Sequence, residues 1–154
     1  MENLIGNRQH AYRRGQSTCT ALIQMFDTIT RLCDNQHNTG LAVLSLDFTK
    51  AFDKVNHQLL LKKLSHEVPK GFLVWLSSYL TGRNFRVKVQ GQLSKQHLVN
   101  QGVPQGSVLG PALFAMLVGD LANNGKSDNN EFIQYADDVN IIIPLKSNES
   151  SEVN

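Results

Sequence analysis

The chain has 154 residues, 41% hydrophobic and 18% charged, with a formal net charge of +2. That is one domain's length, with no run near the ~20 apolar residues of a membrane span. The +2 is unevenly spread: residues 50–95 hold nine Lys/Arg against two acids, and residues 120–154 hold seven acids against two lysines. A basic middle suits a polyanion, although a solvated helix face is the commoner cause of such a run.

The first ten residues, MENLIGNRQH, lack an apolar signal segment, so an intracellular protein is expected, in nucleus or cytoplasm. Residues 17–35 read as a helix capped by Ser17 or Thr18, with Leu22, Met25, Phe26, Ile29 and Leu32 at helical spacing. Cys19 and Cys33 on that helix lie roughly 21 Å apart, too far for a disulfide, and read as free core thiols. With no CxxC and five scattered histidines, a zinc module is disfavoured. Thr39-Gly40 should break the helix. LAVLSLDF (41–48) is then an almost wholly apolar run ending in one acid, the pattern of a buried strand.

Helices follow at 56–67 and 70–80, the second stopped by Gly82. NFRVKVQGQLSKQHLV alternates as a hairpin does, with Gly91 in its turn and Arg86 and Lys88 on one face. GVPQGS is a glycine-rich loop. After it, Leu109, Leu113, Met116, Leu117 and Leu121 line a helix whose first turn holds Pro111. QYADDVNIII reads as strand 132–136, a turn at 137–138 and strand 139–143. KSNESSEVN reads as a disordered polar tail over 146–154. Strands, helices and hairpins in this order predict an α+β fold.

The acids of that hairpin carry the chemistry. A buried, unpaired carboxylate costs several kcal/mol, and Asp137-Asp138 interrupts an otherwise apolar run. A plain polar turn is one reading, but Asp-Asp is a poor pair where positive φ is wanted. Asp47 ends the apolar strand, where a strand-end cap is the simple alternative. Three carboxylates brought to one end of a sheet would instead suit Mg²⁺, which prefers carboxylates and substrate phosphates. Two such ions ~3.5–4 Å apart can activate an attacking hydroxyl and stabilise a leaving pyrophosphate.

The chain resembles the reverse transcriptase domain of non-LTR (LINE-type) retrotransposons. The matching stretches are QHAYRRGQST, LDFTKAFDKV, SSYLTGRNFRVKV, QGVPQGSVLGPALF and YADD, in the family's order, and together they span roughly residues 8–145. YADD alone would be weak; the ordered set is specific. Ala11 stands where the family usually has glycine, and Gln16 where arginine is common.

The resemblance implies a polymerase palm-like antiparallel sheet with packed helices over 41–145, and part of the fingers over 1–40. It implies an RNA-directed DNA polymerase that uses two Mg²⁺ ions (or Mn²⁺ in their place), an RNA template, a DNA primer and deoxynucleoside triphosphates. Asp47, Asp137 and Asp138 match its metal-binding acids, and the Phe48 carbonyl lies where it helps hold a metal. Phe52 matches the bulky side chain under the sugar that rejects a 2′-hydroxyl, with an ordinary core phenylalanine as the alternative. Gln105 and Gly106 match the loop against the incoming nucleotide; a plain turn and helix start capped by Ser107 is the simpler reading. Arg13 and Arg14 fall in the segment near the template. Arg83, Arg86 and Lys88 are candidates for backbone phosphates or for a solvated hairpin face.

By the same resemblance, the upstream fingers cation and the later palm and thumb would lie outside this chain. The alternative function is a non-catalytic nucleic-acid-binding remnant. Loss of a metal acid would mark one, and all three acids are present. A maturase-type reverse transcriptase is a near neighbour, and GVPQGS argues against a cyclase-like palm.

Overall fold

The computed structural model describes residues 5–121 and 129–146. The proposed tail therefore lies outside the described residues, apart from Lys146. The chain forms two compact units, one of Met1–Phe48 with Gly119–Asn154 and one of Thr49–Val118. Helices combine with antiparallel ladders in both, the α+β class the sequence predicts.

The first unit opens with helix α1 (Thr18–Cys33). Ser17 is its N-cap: Ser17 Oγ accepts from the Thr20 N–H, and Thr20 Oγ1 accepts from the Ser17 N–H at 2.8 Å. This is a capping box with threonine in the usual Glu/Gln place. Strand β1 (Asn38–Leu46) runs antiparallel to β7 (Asp138–Lys146), which pairs in turn with β6 (Glu131–Tyr135), giving the order β1-β7-β6. Ala21 and Leu32 of α1 pack on Ile133 and Ile142, with Met25, Ile29, Leu41 and Tyr135 around them. Phe132, Val139 and Ile141 cluster separately. Residues 8–10 lie beside the free edge of β6: the His10 N–H donates to the Gln134 carbonyl at 2.8 Å, and the Gln134 N–H to the Arg8 carbonyl at 2.9 Å. They form a one-bridge strap on that edge.

Four expectations change here. The buried line of α1 runs through Ala21, Thr28 and Leu32, so Leu22 and Phe26 face outward. The small Ala21 lets the helix approach the sheet, and a buried threonine is invisible to a search for apolar spacing. Thr39-Gly40 does not break the chain. It lies within β1, where a bulge between Asn38 and Gly40 absorbs the irregularity. Nor is β1 buried, because it is an edge strand paired on one side only; Val43, Leu44 and Leu46 remain 42–47% exposed. Cys19 and Cys33 are free, as expected, but exposed rather than in the core.

The second unit holds a short 3₁₀ turn (Phe52–Lys54), α2 (His57–Leu64), α3 (Lys70–Leu80) and α4 (Leu109–Val118). Its core is Leu60, Leu64, Leu76 and Leu80, with Val55, Leu113 and Ala115. Two short ladders, β2 (Asn84–Phe85) with β5 (His97–Leu98) and β3 (Lys88–Val89) with β4 (Gln92–Leu93), make the expected hairpin. Gln90 and Gly91 both take positive φ at its tip, as a I′ turn requires. Helix α4 ends at Val118, before Leu121. Ser107 Oγ accepts from the Gly110 N–H at 3.0 Å, the capping role foreseen for it.

Candidate active site

The three candidate acids all belong to the first unit. The last register pair of β1 and β7 is Leu46↔Val139, so the next residue along β1 is Asp47 and the preceding residue of β7 is Asp138. Asp47 and Asp138 line one cavity of about 460 Å³, together with Ser45 and Asn140 from the strands and Thr18 and Leu22 from α1. Ser45 Oγ donates to Asn140 Oδ1 at 2.6 Å, fixing two polar groups of that wall.

The hairpin turn is one residue earlier than the sequence suggests. Tyr135 pairs with Asp138, leaving Ala136 and Asp137 as the two turn residues. Ala136 has φ +55, the positive value that a II′-type hairpin needs at its first central position. Because strand side chains alternate, this single step places Asp138 on the strand, on the face that also carries Asn140 and Ile142. Asp137 stays at the tip.

These charges are not buried. Asp47 and Asp138 are exposed and Asp137 is half-buried, so water relieves the desolvation that a fully apolar setting would impose. Among the described residues, no three Asp, Glu, His or Cys side chains stand close enough to hold a metal ion by themselves. The expected convergence is thus an open-sided arrangement: two carboxylates on one cavity and a third in the adjoining turn. That donor set fits a hard cation such as Mg²⁺, which takes one or two carboxylates and completes its shell with water and substrate phosphates.

The strap supplies residues that the sequence reading passed over. Tyr12, with φ +59, lies close enough to Asp137 to feel its charge. Partial burial, then the charges of Asp137 and Tyr135, push the Tyr12 phenol up from its ordinary value. Gln9 is 1% exposed, and its carboxamide meets the backbone of Ala136. The signal for both lies in the motif QHAYRRGQST, which holds Gln9 and Tyr12 beside the two arginines. His10 anchors the strap to α1 through Thr20 Oγ1 at 2.9 Å and Gln24 Oε1 at 2.7 Å. Arg8 pairs with Glu131, which Arg31 also reaches at 3.2 Å. Partial burial raises the Glu131 carboxyl, but Arg8 and then Arg31 outweigh it and hold the group below its ordinary value. Arg13 donates to the Gly6 carbonyl at 3.2 Å, so part of its guanidinium is spent inside the strap, whereas Arg14 is exposed.

The remaining candidates belong to the second unit. Phe52 is half-buried against Phe114, with ring centroids 4.6 Å apart. Its carbonyl accepts from the Val103 N–H at 2.9 Å, and the Val55 carbonyl accepts from the Gly102 N–H at 2.8 Å. Gly102 has φ +86, and a Cβ there would lie 2.6 Å from the Asp53 carbonyl oxygen, so only glycine allows this approach. His57 Nε2 meets the Gly102 carbonyl at 2.7 Å. GVPQGS is thereby sewn onto the chain around Phe52. Gln105 Nε2 donates to Asp53 Oδ1 at 2.7 Å, and Gly106 takes φ +77. Gln105, Asp53 and Arg83 line a cavity of about 730 Å³. Arg83 Nη1 is itself buried, with no hydrogen-bond partner among the described residues. Arg86 reaches Gln96 at 3.3 Å, and Lys88 is exposed on the hairpin.

Comparison with known proteins follows the same lines. The sequence model of the family described as reverse transcriptase (RNA-dependent DNA polymerase) matches residues 1–153. A probable RNA-directed DNA polymerase from transposon X-element of Drosophila melanogaster is 33% identical over 140 residues, 90% of this chain and 15% of that protein. The RNA-directed DNA polymerase from mobile element jockey of the same species is 36% identical over 107 residues, 66% of this chain and 12% of that protein. The chain therefore spans less than a sixth of these curated relatives. Among solved structures, telomerase from Candida albicans, in complex with a fragment of telomeric RNA, superposes with a TM-score of 0.70 at 16% identity. That match covers 94% of this chain and 28% of the telomerase chain.

Proposed function

The chain belongs to the reverse transcriptase (RNA-dependent DNA polymerase) family, and from that membership we propose that it forms the catalytic palm portion of a non-LTR retrotransposon RNA-directed DNA polymerase. One observation carries the reading: Asp47 and Asp138 line one cavity, and Asp137 occupies the turn beside them. That common end of one sheet supports reading the three as the metal acids of the family motifs.

In this reading Asp47, Asp137 and Asp138 hold two Mg²⁺ ions, with the Phe48 carbonyl as a further oxygen donor. Bound there, the ions would favour the deprotonated form of an attacking primer hydroxyl and offset the charge of the leaving pyrophosphate. The chain's own residues do the rest. The carboxylates set where the triphosphate can lie, because they accept no other anion nearby without a cation between. Phe52 presents a ring to the sugar of the incoming deoxynucleotide. Gln105 supplies amide donors, and Gly106 leaves room for a base pair. Arg83, on the wall of its cavity, suits a phosphate oxygen, as do Arg14, Arg86 and Lys88 on exposed surface. Arg13 contributes only with the part of its guanidinium that the strap leaves free. An RNA template fits the family, and the telomerase relative in fold is itself in complex with RNA.

The test is Mg²⁺-dependent primer extension on poly(A)–oligo(dT), by this chain and by a polypeptide carrying the flanking regions that its relatives have. Extension by the longer protein that is abolished in Asp137→Asn supports the assignment. Nucleic-acid binding without extension in the longer protein would favour the non-catalytic remnant instead.

A further inference from the structure

The turn that carries Asp137 is held in place by a side chain 127 residues away in sequence. Gln9 Oε1 accepts from the Ala136 N–H at 2.9 Å and from the Ala11 N–H at 2.9 Å. Gln9 Nε2 donates to the Ala136 carbonyl at 3.1 Å, and Gln134 Nε2 donates to the same carbonyl at 3.2 Å. Both polar groups of one turn residue are therefore closed by one carboxamide. The orientation of that amide is unambiguous, because the flipped form would set its NH₂ against two backbone N–H groups.

The need for such a clamp follows from the turn. Ala136 is buried, so its N–H and carbonyl cannot turn to water as hairpin-tip groups usually do. It also holds φ +55 with a Cβ, a conformation that persists only where surroundings impose it. Glutamine alone offers an acceptor for two N–H groups and a donor for the carbonyl at this reach. Glutamate loses the donor, asparagine is shorter, and methionine lacks both functions.

We propose that Gln9 is a positioning residue for the metal hairpin: it imposes the Ala136 turn and so fixes where Asp137 and Asp138 present their carboxylates. This rests on the reading of those acids as metal ligands. It also gives the strap a role distinct from template contact, since Gln9 acts from the buried side of the turn.

The experiment uses the whole chain, labelled with ¹⁵N, and Mn²⁺ as the probe. Amide hydrogen exchange at Ala136 reads the clamp, and Mn²⁺ binding, followed by free-ion EPR and by broadening of amide signals at 136–139, reads the acids. Gln9→Met should speed exchange at Ala136 by at least about tenfold, the loss of roughly one buried hydrogen bond. It should weaken Mn²⁺ binding by about 10- to 100-fold, as losing a partner that orients a ligand does. Exchange at Val139 and Ile142 reports whether the sheet survives; where Gln9→Met does not fold, Gln9→Glu, which keeps the acceptor for both N–H groups and loses only the donor to the Ala136 carbonyl, is read by its Mn²⁺ binding alone. The sharpest arm is rescue. Glycine adopts positive φ freely, so adding Ala136→Gly to the Gln9 variant should restore most of the Mn²⁺ affinity. His10→Ala loosens the same strap from α1 without touching Ala136, and should leave Mn²⁺ binding near that of the unmodified chain.

Unchanged Ala136 exchange in Gln9→Met, unchanged Mn²⁺ affinity in either Gln9 variant, equal weakening by His10→Ala, or failure of Ala136→Gly to rescue would each overturn the proposal. If Mn²⁺ does not broaden residues 136–139 in the unmodified chain, the metal reading fails. Exchange at Ala136 then still decides whether Gln9 holds the turn.

Discussion

Leu46 pairs with Val139 as the last rung of the β1–β7 ladder, and each is next to an aspartate. That rung is why Asp47 and Asp138 come to one cavity despite lying far apart in sequence. Asp47→Asn and Asp137→Asn, made in the longer protein, should remove nearly all primer extension while leaving nucleic-acid binding largely intact. Asp138→Asn should be mildest, its part being partly to orient the other donors. Near-normal extension by either of the first two variants would sink the assignment of the acids.

Phe52 packs on Phe114 with their rings tilted by 35°, and this contact makes the core alternative a real competitor for the sugar-gate role. Truncating a buried phenylalanine to alanine costs ~3–5 kcal/mol and would depress ribo- and deoxynucleotide use alike. A gate behaves differently: Phe52→Val or Phe52→Ala in the longer protein should raise ribonucleotide incorporation relative to deoxynucleotide. The ratio of the two incorporation efficiencies decides, since a folding defect cancels from it. An unchanged ratio in a variant that folds makes Phe52 core.

The basic hairpin and the cavity-lining Arg83 predict weak, strongly salt-dependent binding of a template–primer duplex by this chain. Arg83→Ala, Arg86→Ala and Lys88→Ala should each flatten the plot of log affinity against log salt by about 0.7–0.9 where the residue meets a phosphate. Slopes that stay at the unmodified value would leave Arg86 and Lys88 as a solvated face.

Glu131 makes the strap acid-sensitive. Arg8 and Arg31 hold its folded value below the ordinary 4.5, so it contributes stability that is fully present above pH 4.5. That contribution is lost as pH falls through the lowered folded value. In melting curves taken from about pH 6 to about pH 3, Glu131→Gln should be less stable than the unmodified chain near neutrality, and the gap should close on acidification. A gap that is constant with pH would mean the ion pairs contribute nothing.

Both thiols are exposed on α1, so a thiol reagent should label Cys19 and Cys33 in the folded chain without denaturant. Labelling that requires unfolding would restore the core placement.

Much of the local structure could be read from the sequence, because neighbouring residues carry it. The cap at Ser17, the helix from Lys70 to Leu80, the I′ turn at Gln90-Gly91 and the Ser107 helix start depend on groups within a few positions of each other. The α+β class and the family followed from the motifs and their order.

Where an element faces, and what fixes it, depends on partners that local pattern does not name. The rotation of α1 was decided by Ile133 and Ile142, and the exposure of β1 by its place at the sheet edge. The one-residue shift of the YADD turn was set by pairing Tyr135 with Asp138, since a side chain changes face with each step along a strand. Sequence by itself determined the candidates for the chemistry: three aspartates, a phenylalanine, a glycine-rich loop and a basic hairpin. Only the tertiary structure decided that Asp47 and Asp138 share a cavity while Asp137 takes the turn, and that Gln9 holds that turn. Those relations join positions about a hundred residues apart through strand register and buried hydrogen bonds, neither of which leaves a periodic trace in the chain.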